Sequence, residues 1–126
     1  MSIILDAGAF VALERNDRAM WRRLKEALQA ESPPMTHGGV VAQAWRDGTG
    51  RQALLARALQ AVETMPLDEQ LGKRAGALLG RSGSTDAIDA ALAAMADHGD
   101  QIITSDPADL VVLVAASTRR VDIVPI

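Results

Sequence analysis

The sequence predicts an α/β domain built on a mostly parallel sheet. Short apolar runs with the character of buried strands, Ile3-Ile4-Leu5 and Gln101-Ile102-Ile103-Thr104, are separated by long stretches of helical pattern. Strands that alternate with helices, rather than clustering, pair in parallel through helical crossovers. The length of 126 residues suits one core, so one domain over residues 1–126 is expected.

Each element follows from local pattern. Ile3 to Leu5 is a strand that ends in an acid, Asp6. Ala7 to Glu14 is a helix of small and apolar residues. Asp17 to Ala30 is an amphipathic helix: Met20, Leu24 and Leu28 recur at spacing four, Arg22, Arg23 and Glu26 lie off that face, and Ser32-Pro33-Pro34 stops it. A weak strand follows at Pro34 to Thr36. Val40, Val41, Ala44 and Trp45 form a helical face that ends at Asp47-Gly48. Gln52 to Val62 is rich in alanine and leucine and free of glycine, hence helical. Thr64 to Leu67 is a marginal strand. Asp68 to Leu79 is a helix punctuated by Gly80-Arg81-Ser82-Gly83, and Asp86 to Ala96 an alanine-rich helix stopped by His98-Gly99. Gln101 to Thr104 is a strand, Ser105-Asp106-Pro107 opens a helix that runs to Ser117, and Val121 to Val124 is the last strand.

Composition removes several kinds of chemistry. There is no cysteine, which excludes disulfides, zinc–thiolate sites and thiol nucleophiles, and only two histidines, His37 and His98. Aromatic residues are Phe10, Trp21 and Trp45 alone, too few for base-stacking platforms to dominate binding of single strands. A net charge of -3 argues against a module that only binds nucleic acid, but not against a carboxylate site whose bound ions restore positive charge locally. The N-terminus lacks the features of a signal peptide, and the apolar stretches are short of a bilayer span, so a cytoplasmic protein without membrane attachment is expected.

The acids carry the chemical signal. Asp6 follows the first strand and Asp106 follows the fourth, while Asp86 and Asp89 share a face at the start of the intervening helix. Each has an ordinary reading as a helix cap or dipole partner; Asp106-Pro107 with Asp109 is a strong helix-start signature. In parallel α/β sheets, however, ligands bind beyond the carboxyl ends of the strands, where strand order reverses. If these ends converge, several carboxylates crowd one place and repel, and a hard cation such as magnesium relieves the repulsion. Such ions activate water for phosphodiester hydrolysis without a histidine, serine or cysteine nucleophile.

These residues resemble a family. Ile3-Ile4-Leu5-Asp6-Ala7-Gly8-Ala9-Phe10 resembles the opening of PIN domains, a strand ending in a metal-binding aspartate followed by a small-residue helix. Asp89-Ala90-Ala91-Leu92-Ala93-Ala94 resembles their second aspartate motif, and Ile103-Thr104-Ser105-Asp106-Pro107-Ala108-Asp109-Leu110 their third. Order and spacing agree over essentially the whole chain, and compact PIN domains of this length are typically VapC toxins of toxin–antitoxin pairs. The resemblance implies a parallel sheet of four or five strands flanked by helices. It also implies Mg2+- or Mn2+-dependent endoribonuclease activity on structured RNA such as transfer or ribosomal RNA, homodimerisation, and a VapB-type antitoxin. Asp6, Asp89 and Asp106 would be the catalytic, metal-holding acids.

One position departs from the pattern. The glutamate that the family carries on the helix after the second strand is matched here by Gln43, which offers a carbonyl oxygen but no charge. Asp86, one helical turn before Asp89, is the expected compensating metal ligand. Gln43, Ser105 and Asp109 are candidates for supporting contacts around the ligands, with Thr104 beside them. His37 has no partner motif and is taken as a turn residue. Arg15, Arg18, Arg22, Arg23 and Lys25, with Arg46 and Arg51 around a glycine-rich turn, are candidate phosphate contacts or solvated faces. Phe10, Leu13, Met20 and Leu24 are either core or the lining of an antitoxin groove.

Other classes fit less well. A haloacid-dehalogenase-like phosphatase needs an aspartate where Gly8 stands. A receiver-like module needs a lysine after a late strand, yet Lys25 and Lys73 lie within helices. Gly80-Arg81-Ser82-Gly83-Ser84 lacks the lysine of a phosphate loop. The alternative to a nuclease is a catalytically weak PIN scaffold that acts as an antitoxin-binding, regulatory module.

Overall fold

A computed structural model describes residues 1–47 and 50–126. Its five strands form one parallel sheet: β1 (Ile3–Leu5), β2 (Met35–His37), β3 (Glu63–Met65), β4 (Gln101–Thr104) and β5 (Asp122–Pro125), in the spatial order β3-β2-β1-β4-β5. Helices α1 (Ala7–Glu14) and α2 (Arg18–Gln29) join β1 to β2, and α3 (Gly38–Ala44) and α4 (Ala53–Ala61) join β2 to β3. Helices α5 (Glu69–Ser82) and α6 (Ala87–Met95) cross back to β4, and α7 (Pro107–Ser117) leads to β5. The expected stop of α3 at Asp47-Gly48 lies partly outside the described residues.

The topology dictates the layers. From β1 the chain steps outward to β2 and β3, and then returns past β1 to β4 and β5 on the other side. Right-handed crossovers therefore place the first four helices on one face and the last three on the other. Packing agrees: α1 touches α2, α3 and α4, while α5, α6 and α7 pack on one another. Between the layers lie the central strands, with Ile4, Leu5, Ile102 and Ile103 buried. Phe10, Leu13, Met20 and Leu24 are buried with them and belong to the core, with Leu24 also reaching the floor of a surface groove. Near-continuous apolar strands are what a sheet covered on both faces requires.

Three elements differ from the sequence pattern for identifiable reasons. β3 is exposed throughout and has no apolar face; its strand conformation comes from pairing with β2, in the register Met35–Glu63, Thr36–Thr64 and His37–Met65. α5 runs past Gly80 and ends at Gly83, whose φ of 75° supplies the left-handed cap that terminates a helix. α3 begins on Gly38-Gly39, two poor helix formers, because His37 caps it.

Candidate functional site

Strand order reverses between β1 and β4, so the connections leave their carboxyl ends in opposite directions and open a crevice there. Asp6 stands at the first exit and is 6% exposed. Its Oδ1 accepts the Ala9 amide at 3.0 Å, capping α1, and its Oδ2 accepts the Thr104 hydroxyl and, at 3.3 Å, the Ser105 amide. Thr104 Oγ1 in turn accepts the Asp106 amide at 2.8 Å. One carboxylate thus pins both strand exits together. The close approach depends on Gly8, where a Cβ would fall 2.2 Å from Ser105 Oγ and 2.5 Å from Ser105 Cβ.

The third wall is the start of α6. Asp86 is its N-cap, and one oxygen, Oδ1, accepts the amides of Ile88 and Asp89, each at 3.0 Å. One turn on, Asp89 meets Asp106 and Asp109, and a carboxylate oxygen from each lies within 4.8 Å of the others. Asp106 opens α7 but makes no side-chain cap. Its carboxyl is shared with Asp109 one turn later, and this hydrogen bond, followed by the charge of Asp106, raises the pKa of Asp109. Asp89 is pushed up to about 7, first by burial and then by the charges of Asp86, Asp6, Asp106 and Asp109. The charges of four acids therefore converge on Asp89 at one end of the sheet.

Among the residues singled out in the sequence, Asp89, Asp106 and Asp109 form the tight group. Asp6 is near enough to raise the pKa of Asp89, but its oxygens are engaged by Ala9, Thr104 and Ser105. Asp86 has one oxygen committed to the backbone. Gln43 is exposed on α3. Ser105 contributes its amide to Asp6, and its side chain packs against Gly8.

The sequence reading missed His37. It is fully buried, with Nδ1 accepting the Gly39 amide at 3.0 Å and Nε2 lying 3.0 Å from the Ile88 carbonyl. An acceptor at Nδ1 and a carbonyl at Nε2 fix the neutral ring with its proton on Nε2. Burial lowers its pKa, and the bond to Ile88 opposes that shift. No spacing rule reveals such a contact, because its two residues are 51 positions apart.

The donor set fits a hard divalent cation. It is all carboxylate oxygen, it brings three acids within 4.8 Å, and one of them is pushed up to about 7, first by burial and then by the charges of its neighbours. A cation bound by oxygen ligands supplies the missing countercharge. Elsewhere, Trp21, Leu24 and Leu28 line a groove of about 560 Å³ framed by Arg18, Arg22, Lys25 and Arg57. Trp21 is anchored there by its indole N–H, which donates to the Leu13 carbonyl at 3.0 Å. Among the described residues no helix is long and apolar enough to cross a membrane.

Comparison with solved structures finds the same architecture in a chain of "VapBC2 from Rickettsia felis bound to a DNA fragment from their promoter". The TM-score is 0.68, and the match covers 98% of both chains at 13% identity. The fold is that of a PIN domain. At this identity the likeness extends to the fold alone. No protein-family model matches the sequence, and no curated protein matches it. In this PIN fold the crevice between β1 and β4 is where the acids lie, at the reversal of strand order.

Proposed function

We propose that this chain, as one PIN domain over residues 1–126, is a metal-dependent endoribonuclease of the toxin–antitoxin kind that hydrolyses RNA phosphodiester bonds. The observation that carries this reading is the meeting of Asp89, Asp106 and Asp109, with Asp6 beside them, in the crevice of a PIN fold. Asp6, Asp89 and Asp106, aided by Asp109 and Asp86, would hold Mg2+ or Mn2+. Such an ion supplies an activated water at neutral pH and neutralises charge on the phosphate. The chain's own residues position that chemistry. Asp6 is rigid because three donors hold its oxygens, Asp86 orients the first turn of α6 so that Asp89 faces the crevice, and Asp109 adds a further carboxylate beside Asp89 and Asp106.

The same reading assigns a VapB-type antitoxin as partner, with structured RNA as substrate, a homodimer as the assembly and the cytoplasm as the location. The apolar floor of the Trp21–Leu28 groove and its basic rim suit an acidic, amphipathic segment of such an antitoxin. Gln43 favours a second reading, a PIN scaffold that binds its antitoxin but cuts poorly.

One assay separates the two. Antitoxin-free protein is incubated with total RNA and Mn2+ or Mg2+, with and without a chelator, beside Asp89→Asn. Cutting that needs the metal and falls ~100-fold or more in Asp89→Asn is expected. Folded parent protein that binds an antitoxin yet leaves RNA intact with either metal supports the scaffold instead.

A further inference from the structure

We infer that His37 is a positioning residue whose buried imidazole braces the first turn of α6 and thereby holds Asp89 at the crevice. The metal-binding part of this inference rests on the reading above; the brace itself does not.

A capping residue needs only one acceptor. Serine or aspartate would satisfy the Gly39 amide and open α3 equally well. The imidazole does more, because its two nitrogens lie on opposite sides of a rigid ring. Nδ1 takes the cap of α3, while Nε2–H reaches across to the carbonyl of Ile88, the residue immediately before Asp89. That carbonyl lies within a helix and has a second lone pair, so the ring's N–H adds to the helical hydrogen bond rather than replacing it. The ring is fully buried, so water does not compete for either bond.

The backbone around the ring is shaped to the same contact. A Cβ on Gly39 would lie 2.6 Å from Ile88 Cδ1 and 2.9 Å from His37 Cε1. The turn between β2 and α3 is therefore pressed against the start of α6, with glycine providing the clearance. The N-cap bonds of Asp86 fix the same turn from its other end, through the amides of Ile88 and Asp89. Asp89 is thus held from two sides: by its own helix cap, and by a ring from another layer of connections, 51 residues away along the chain from Ile88.

The decisive variant is His37→Ser, which keeps an acceptor for Gly39 and removes the reach to Ile88. Native-state hydrogen exchange of the metal-free protein is expected to quicken ~10-fold or more at the amides of Asp89 and Ala90, with Ala93 and Ala94 unchanged. His37→Gln, whose amide N–H can replace Nε2–H, recovers protection. Titration with Mn2+ alone is expected to show affinity ~10-fold or more weaker in His37→Ser, as for other outer contacts that orient metal ligands. Should His37→Ser fail to fold, Gly39→Ala presses on the same contact and is read by the same first-turn selectivity. Exchange at Asp89 and Ala90 equal to that of the parent, or quickened uniformly over the molecule, overturns the inference. Parent protein that does not bind Mn2+ removes the metal reading, and the exchange measurement still decides the brace.

Discussion

The two ends of the sheet differ in what stands opposite their acids. At the amino ends of the strands Asp100 is 7% exposed, and its two oxygens accept the Ser2 and Asp97 amides, each at 2.8 Å. Close by, Arg119 donates to the carbonyls of Ala94 and Ala96 and pairs with Asp97, while Arg74 donates to Ala94 as well. Asp97 and Asp100 each have an answering group there, and the arginines sit at the end of α6 where helix carbonyls are left over. At the carboxyl ends Asp6 is likewise satisfied by amides and a hydroxyl, but Asp89 crowds against Asp106 and Asp109, and burial followed by the charges of its neighbours pushes it up to about 7. A carboxylate satisfied by amides is architecture. Carboxylates crowded without a countercharge mark the place where something from outside the chain is required.

Asp100→Ala tests the settled end most severely. It strips two buried amides of their acceptor and is expected to cost about 2–4 kcal/mol in urea unfolding, with Mn2+ affinity of the folded protein unchanged. A loss of Mn2+ affinity would join the two ends and break the contrast.

Arg119→Ala should be milder. It leaves the Ala94 and Ala96 carbonyls to water and to Arg74, at about 1–2 kcal/mol by thermal unfolding, again with no change at the crevice.

The smallest effect concerns the sign of pH dependence. Asp89 holds its proton more tightly when folded than when unfolded, so its contribution is fully present below its ordinary pKa of 3.8 and is lost as pH rises through about 7. Metal-free parent should therefore lose stability relative to Asp89→Asn between about pH 4 and 7. The difference is about 1 kcal/mol or less once solvent screening at this half-buried site is allowed for. Saturating Mn2+ should reverse it. Parallel pH profiles of parent and Asp89→Asn would mean that the acids do not crowd as described.

Most of the scaffold is legible in the sequence because its signals are local. Alternation of apolar runs with helical stretches gives the parallel sheet, and Asp6 and Asp106 stand where strands end. The less legible parts are those fixed by contact between distant segments. β3 has no apolar face, and its pattern contains nothing of its pairing with β2. Gly80 and Gly83 look alike as helix stops, and only the left-handed backbone at Gly83 separates them. Asp109 has the local mark of a helix-start acid; its meeting with Asp89 depends on how α6 and α7 pack. Gly8 is the informative residue in hindsight. A glycine in the first turn of a helix, two residues after a strand-ending acid, signals a second segment lying close, and that segment is Ser105.

The duties of Asp6 have an evolutionary corollary. An acid that clasps two chain reversals cannot be discarded without loosening the body that carries it, whereas Asp89 hangs from a helix whose cap and brace belong to other residues. Descendants that lose the chemistry but keep the shape should therefore shed Asp89 first and retain Asp6 longest, as a rivet rather than a reagent.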